Sequence, residues 1–375
     1  MISSFRIKGY RRFDDFSLDD LSRINFFIGK NNVGKTTLLE AIYGWASGKN
    51  LAPFFWTGIQ RNQYNSSYTA YNVVDNIVSS VKRKEKTPLT FSFSAVCDDK
   101  EILYQHKVSL GDLFRDFIRD VAMPGTNNNM SMLQSAGQQL SVSNMFPSNN
   151  ITMAQWEISK EDEPTKVFML NWPNLFIENV SPQKLASYED INSHRNIDEN
   201  RKLYTYLKRQ KLLEVFVKEI QAEFPEINNF DILPYQNNAL APVSVQMKNG
   251  EYFPIDTFGD GFRRMFQIIG SLIFYHDTIM CIDEIDATIH PGAQKKLCRC
   301  LIKYARKYNV QLFVTTHNIE FMDNFLYGWR EDEPLSQMDD IRIVTMKDVN
   351  GMVRPRVMTG KQAYDARRDF NLELR

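Results

Sequence analysis

Apolar and polar positions alternate in short blocks over the first fifty residues. Phe5 and Ile7, then Phe16 and Leu18, fit half-buried strands, and Ile24 to Ile28 is a short, almost wholly apolar run of the kind buried in a sheet. A Gly-rich turn follows, then a helical pattern from Thr36 to about Ala46, with Leu38, Leu39, Ile42, Tyr43 and Trp45 on its core face. Between about 50 and 230 the pattern loosens. Residues 88–96 alternate like a strand, with 101–108 as a hairpin partner. Residues 122–150, rich in Asn, Ser, Gln, Met and Gly, read as a loop or flexible insertion. Residues 197–224 read as one long amphipathic helix whose other face carries Arg201, Lys202, Lys208, Arg209 and Lys211. Regular order returns near 230: a strand at 243–247, a helix from the turn at 259–261 to about Tyr275, a buried strand at 278–282, a helix at 292–308 and a buried strand at 310–314. Strand–helix–strand alternation of this kind implies a parallel sheet.

The turn after the Ile24–Ile28 run is Gly29-Lys30-Asn31-Asn32-Val33-Gly34-Lys35-Thr36, a full G-x-x-x-x-G-K-[ST] pattern between a strand and a helix. Glycines let successive backbone N–H groups face a phosphate, and the helix N-terminus adds partial positive charge at the same point. Lys35 is expected on the β- and γ-phosphates, the Thr36 hydroxyl on Mg²⁺, and Thr37 as a further phosphate contact. The apolar strand Ile279–Ile282 ends in Asp283 and Glu284. Two acids at a strand end can be a solvated turn. Beside a phosphate loop they predict a Mg²⁺ ligand, Asp283, and an acid that orients or deprotonates water, Glu284.

Two further features stay open on pattern alone. Gly259-Asp260-Gly261 precedes a helix together with Arg263-Arg264, as an anion-favouring turn or as an Asp helix cap. His317 follows a strand in Thr315-Thr316-His317, either sensing a γ-phosphate and positioning water or serving the fold. His290, beside Pro291, contacts a partner chain or caps the next helix.

Composition narrows the class. Lys plus Arg and Asp plus Glu each number 45, so the net charge is zero and a wholesale electrostatic nucleic-acid binder is not expected. No apolar run reaches the roughly 20 residues of a membrane span, and the N-terminus lacks a signal-peptide core. Cys97, Cys281, Cys298 and Cys300 form no CxxC pair or zinc spacing. A reducing, cytoplasmic compartment is therefore expected.

Together these motifs resemble the ABC-type AAA ATPase heads of the SMC, RecF and OLD (overcoming lysogenization defect) group. The opening Phe5–Phe13 resembles their first strand. Gly29–Thr37 is similar to Walker A, and Asp283-Glu284-Ile285-Asp286 to Walker B with its catalytic Glu. Ala287–Pro291 resembles the D-loop, Gly259–Gly261 stands where the signature motif belongs, and His317 resembles the switch histidine. The resemblance implies an α/β fold, a P-loop NTPase head with a mixed core sheet and flanking helices, interrupted by an α+β insertion of about 180 residues. It divides the chain into a core segment at 1–50, an insertion at 51–234, a second core segment at 235–345 and an extension at 346–375. It implies ATP and Mg²⁺ as cofactors and Glu284, His317 and Lys35 as catalytic. Gly29, Asn31, Asn32, Val33, Gly34, Lys35, Thr36 and Thr37 would hold nucleotide in cis, and Gly259, Asp260 and Gly261 would do so in trans, across a dimer of heads. The signature departs from the Ser-Gly-Gly form, and Gln63 and Gln155 are the candidates for a Q-loop.

SMC-type coiled arms are not expected, because no sustained heptad run exists. The roughly 30 residues after the last expected core strand are too few for the Toprim nuclease of OLD proteins. The chain thus resembles a stand-alone ATPase subunit of bacterial anti-phage defence systems of the PARIS, Septu and abortive-infection types. There it would sense infection and control a separate nuclease or toxin, with DNA contact through Lys82-Arg83-Lys84 or residues 201–211 left open. A RecF-like repair or chromosome-maintenance ATPase is one alternative, and a slow-turnover scaffold stabilised by ATP is another.

Overall fold

A computed structural model describes residues 1–51, 53–54, 88–111, 151–172, 186–233, 241–329 and 335–370. Its centre is a six-stranded sheet. β3 (Ile24–Ile28), β8 (Ala186–Glu189), β12 (Ile279–Ile282), β13 (Gln311–Thr315), β14 (Ile341–Val349) and β15 (Met352–Thr359) lie in the order β15-β14-β3-β13-β12-β8. All neighbours are parallel except the β14–β15 hairpin. The sheet is mixed, as the resemblance implied, and β8, from the stretch expected as an insertion, joins it beside β12.

The parallel strands are apolar on both faces because both are covered. Ile24, Phe26, Ile28, Met280, Ile282, Leu312 and Val314 point into one core. Phe27, Cys281, Phe313 and Val344 point into the other. The first core is closed by α2 (Ile197–Arg209), α3 (Leu213–Gln221), α4 (Asp260–Phe274), α5 (Pro291–Lys307), α6 (Ile319–Trp329) and α7 (Gly360–Phe370). It also takes in the small sheet of β9 (Ile227–Asp231), β10 (Ser244–Met247) and β11 (Tyr252–Pro254).

The second core lies between the central sheet and an antiparallel sheet, with α1 (Lys35–Ala46) in the gap. That sheet has the order β2-β1-β4-β5-β6-β7 and is built from β1 (Ile2–Tyr10), β2 (Phe13–Leu18), β4 (Leu89–Cys97), β5 (Lys100–Leu110), β6 (Ile151–Lys160) and β7 (Glu163–Trp172). The hairpin expected at 88–108 is β4–β5. His106 is buried in its aromatic interior, stacked on Phe91 at 4.5 Å, and accepts from Trp156 Nε1 at 3.3 Å.

The single helix expected at 197–224 is two helices. Lys211 takes a left-handed φ of 58°, and Leu212 N–H reaches back to Leu207 O at 2.8 Å. The bend lets Leu203 and Leu207 of α2 and Phe216, Val217 and Ile220 of α3 enter the same core from different directions. Residues 122–150, Gln63 and Lys82–Lys84 lie outside the described residues. No helix among those described is long and apolar enough to cross a membrane.

Candidate functional site

β3, β12 and β13 run parallel, so their carboxyl ends open on one edge of the sheet. The phosphate loop leaves β3 there and the acid pair leaves β12. Two glycines allow the loop its path. Gly29, at φ 149°, passes so close to β14 that a Cβ would lie 2.5 Å from Met346 O. Gly34, at φ 104°, is the residue before α1, and a Cβ would meet Arg12 Cδ and Phe13 Cζ at 2.9 Å. Asn32 is left-handed at φ 62°. Val33 is buried, so its side chain frames the loop from the core side.

A cavity of about 570 Å³ opens between loop and acids, lined by Arg11, Arg12, Asn31, Asn32, Gly34, Lys35, Thr36, Thr37, Asp283 and Glu284. Lys35 Nζ donates to Gly29 O at 2.8 Å and Lys30 O at 3.0 Å. Burial pulls the Lys35 ammonium below its ordinary pKa, and the charges of Glu284 and Asp283 oppose that pull. Thr36 Oγ1 donates to Asp283 Oδ1 at 3.2 Å, which brings a hydroxyl and a carboxylate oxygen to one point. Such a hard oxygen pair, next to room for phosphate oxygens, fits Mg²⁺. Among the described residues no cluster of three or more His, Cys, Asp or Glu could hold a metal by itself. The residues present therefore fit a nucleotide–Mg²⁺ complex.

Several contributors escaped the sequence reading. Thr315, at the end of β13, donates its hydroxyl to Asp283 and accepts the Glu284 N–H at 2.8 Å. Arg12 bonds Asn32 O and the Asp348 carboxylate, tying the opening hairpin to the loop and to β14. Arg11 pairs with buried Glu40 of α1 at 3.1 Å. Arg11 and Arg12 were signalled only by their place in the opening motif, and Thr315 by its place at a strand end.

The remaining expected residues do not line this cavity. His317 is exposed on the loop after β13, where its neighbour Thr316 donates to buried Asp286 at 2.6 Å. Gly259 is the residue before α4, and Asp260 is its first helical residue. This corrects the Asp-cap alternative, since no side chain caps α4. The Asp260 carboxylate instead accepts from Arg195 and Arg263 and faces His194 Nε2 at 3.5 Å. The Arg195 hydrogen bond, with Arg263 beside it, holds that carboxyl below its usual range. Burial, with Arg264 nearby, pulls His194 down to about 4, so it is neutral near pH 7. Gly261 is pressed on the stretch resembling a D-loop: a Cβ there would lie 2.6 Å from Thr288 O. His290 is a helix cap, accepting from Gly292 N–H at 3.2 Å. Gln155 lies in β6, away from the cavity, and bonds Glu157 at 3.2 Å. On the basic face of α2, Arg201, Lys202 and Lys208 pair with Asp198, Glu199 and Asp231 at 3.6, 2.7 and 3.4 Å.

Comparison with known proteins assigns the chain to a family. The family described as "AAA domain, putative AbiEii toxin, Type IV TA system" matches residues 24–323, and the chain belongs to it. An "ATP/GTP phosphatase" of Helicobacter pylori is 23% identical, over 96% of each chain. The DNA replication and repair protein RecF of Bacillus cytotoxicus is 43% identical over 49 residues, 13% of each chain. The structure of an SMC head bound to the C-winged helix domain of ScpA superposes with a TM-score of 0.53 at 11% identity, covering 96% of this chain and 98% of that one. The fold is that of an ABC-type ATPase head, and nucleotide hydrolysis is its general class of chemistry.

Proposed function

We propose that this protein is a cytoplasmic ATPase whose heads pair around two nucleotides and whose nucleotide state controls a separate effector, a nuclease or toxin, in anti-phage defence. One observation carries the ATPase reading: Lys35, Thr36, Asp283 and Glu284 converge on one cavity between two parallel strands and a helix N-terminus. The family description and the ATP/GTP phosphatase relative support the reading.

The residues divide the work by chemistry. The N–H groups of Asn31 to Thr37 and the start of α1 receive the phosphates. Lys35 exchanges its loop carbonyls for the β- and γ-phosphate oxygens. Thr36 and Asp283 would hold Mg²⁺, which neutralises phosphate charge as the γ-phosphoryl leaves. Thr315 fixes the Asp283 carboxylate by hydrogen bond. Glu284 orients the attacking water and takes its proton. Gly259, Asp260, Gly261 and His317 belong to the face that meets a second copy; Gly259, Thr288 and His317 are exposed there. That exposure favours a role in trans, where the signature turn closes the partner's phosphate site and His317 reads its γ-phosphate.

A second reading, a RecF-like ATPase acting on DNA, is favoured by the RecF match. The neutral net charge and the paired cations of α2 weigh against it. One experiment separates the two. The wild type and Glu284→Gln are co-expressed with their genomic neighbours, purified with Mg²⁺–ATP, assayed for phosphate release, and examined for what co-purifies. The expected result is turnover in the wild type alone, with a small protein effector held in one nucleotide state and lost in the other. Recovery of DNA alone, retained with ATP, would replace the effector reading with the RecF-like one. Equal phosphate release by both forms would remove Glu284 from its role.

A further inference from the structure

The buried guanidinium of Arg264 is the feature that the functional reading leaves unused. It sits in the second turn of α4 and is 1% exposed. Its Nη1 donates to Asp190 O at 2.8 Å, and its Nη2 donates to Asp283 O at 2.7 Å and Glu284 O at 2.8 Å. All three acceptors are backbone carbonyls just beyond the ends of β8 and β12. Burial pulls the guanidinium below its ordinary pKa, while Glu189, Asp190, Asp283 and Asp286 oppose that. Burying a charge without a bonded carboxylate is costly, and an apolar side chain of similar volume would fill the space at less cost. What only arginine offers here is a planar fork of donors that reaches three carbonyls at once.

The peptide it grips is unusual. Glu284 is left-handed, at φ 48°, a conformation that a non-glycine residue holds only when its surroundings impose it. Thr315 Oγ1 holds its N–H at 2.8 Å and Arg264 holds its C=O, while the next residue, Ile285, donates to Thr315 O at 3.1 Å. With both ends of the residue fixed, its Cα–Cβ bond is fixed too, and the side chain leaves the backbone toward the cavity it lines. The same helix packs closely on this stretch again at Gly261, where an added Cβ would lie 2.6 Å from Thr288 O, so α4 meets the 283–288 stretch at two points three residues apart along the helix.

We propose that Arg264 is a positioning residue: it holds Glu284 in the conformation that aims its carboxylate, and it passes a shift of α4 to the acid of the same chain. This rests on the ATPase reading above. Because α4 begins at Gly259–Gly261, docking of that turn on a second copy would set the geometry of hydrolysis in the docking chain's own cavity. Two nucleotide sites would thereby be coupled through one side chain.

The test uses the full chain and four variants: Arg264→Gln, Arg264→Lys, Glu284→Gln and the double variant Arg264→Gln/Glu284→Gln. Each is assayed for Mg²⁺–ATP affinity and for single-turnover phosphate release. Arg264→Gln is expected to bind Mg²⁺–ATP within about threefold of wild type yet hydrolyse it about 10- to 100-fold more slowly, the scale of a misplaced catalytic group. Arg264→Lys, which keeps the charge and part of the donor set, is expected to recover part of the rate. In the Glu284→Gln background the Arg264 change should cost nothing further, because its effect runs through Glu284. Unchanged turnover in Arg264→Gln, parallel loss of affinity and rate, or a full additional loss in the double variant would each overturn the proposal. Should Arg264→Gln lose its cooperative melt, Arg264→Lys carries the same comparison with the charge retained, and failure of both to fold would assign Arg264 to the core and overturn it as well. Wild-type turnover in Glu284→Gln is a distinct outcome that removes Glu284 from its role, and absence of Mg²⁺–ATP turnover in the wild type is the one that defeats the ATPase reading itself.

Discussion

At the N-terminus of α1 a glycine turn wraps a cavity, whereas at the N-terminus of α4 a glycine turn lies on the surface with its acid already engaged. Around the first, Gly29 and Gly34 are pressed from outside by Met346 O, Arg12 and Phe13, and the inner side opens on Lys35, Thr36, Asp283 and Glu284. Around the second, Gly259 has nothing within 4 Å of an added Cβ, Gly261 abuts Thr288, and Asp260 is covered by Arg195 and Arg263. Both turns offer backbone N–H groups at a helix start. Only the first is supplied in its own chain with a lysine, an oxygen pair for a cation and an acid for water. Helix N-termini alone therefore do not make a catalytic site; the strands brought beside them do.

The largest expected break in this comparison is Lys35→Ala. It removes the one ammonium among the described residues that line the cavity and should weaken Mg²⁺–ATP binding by at least about 100-fold, about 2.7 kcal/mol, by equilibrium titration. Next come the glycines, which should separate by location. Gly34→Ala and Gly261→Ala each force a Cβ into an occupied position, so each should lower unfolding free energy by about 1–3 kcal/mol in denaturant titrations. Gly259→Ala meets open space and should leave stability within about 0.5 kcal/mol of wild type. If the α4 turn acts in trans, Gly259→Arg should still abolish turnover while leaving that stability largely intact.

The smallest effect concerns Asp260. Its carboxyl is held below the ordinary value of about 3.9, so it binds fewer protons folded than unfolded. Its contribution to stability is therefore present above about pH 4 and fades as the pH falls through the lowered folded value. Because these ion pairs are partly exposed and screened, the contribution should stay below about 1 kcal/mol. Melts of wild type and Asp260→Asn should differ above about pH 4 and converge below it.

The cavity was legible in the sequence because its parts are contiguous: a five-residue apolar run, a glycine turn and a helix, then a second apolar run closed by two acids. Its supports were not. Thr315 and Arg264 reach Asp283 and Glu284 only because β13 and α4 pack beside β12, and no spacing in the chain announces that. The edge strand β8 is four residues long, too short for a pattern, yet it supplies Glu189 O to the Asp283 N–H at 2.8 Å, and the residue just after it, Asp190, supplies its O to Arg264. The α2–α3 break escaped because apolar periodicity runs through it, and only the left-handed turn at Lys211 resets the direction. In the antiparallel sheet, alternation gave the β4–β5 hairpin, but its pairing with β1 spans more of the chain than a local pattern encodes.

The central claim, that one chain's phosphate loop works with another chain's α4 turn, is tested most directly by mixing two inactive variants, Lys35→Ala and Gly259→Arg. In a mixed pair, one site combines the intact loop of the Gly259→Arg chain with the intact turn of the Lys35→Ala chain. The account predicts that each variant alone releases no phosphate from Mg²⁺–ATP. It further predicts that an equimolar mixture recovers turnover, up to about one quarter of wild type, since half of the pairs are mixed and each holds one complete site, in a chain whose own blocked turn lowers the rate through Arg264. A mixture as inactive as its components, or full activity of Gly259→Arg alone, would contradict it.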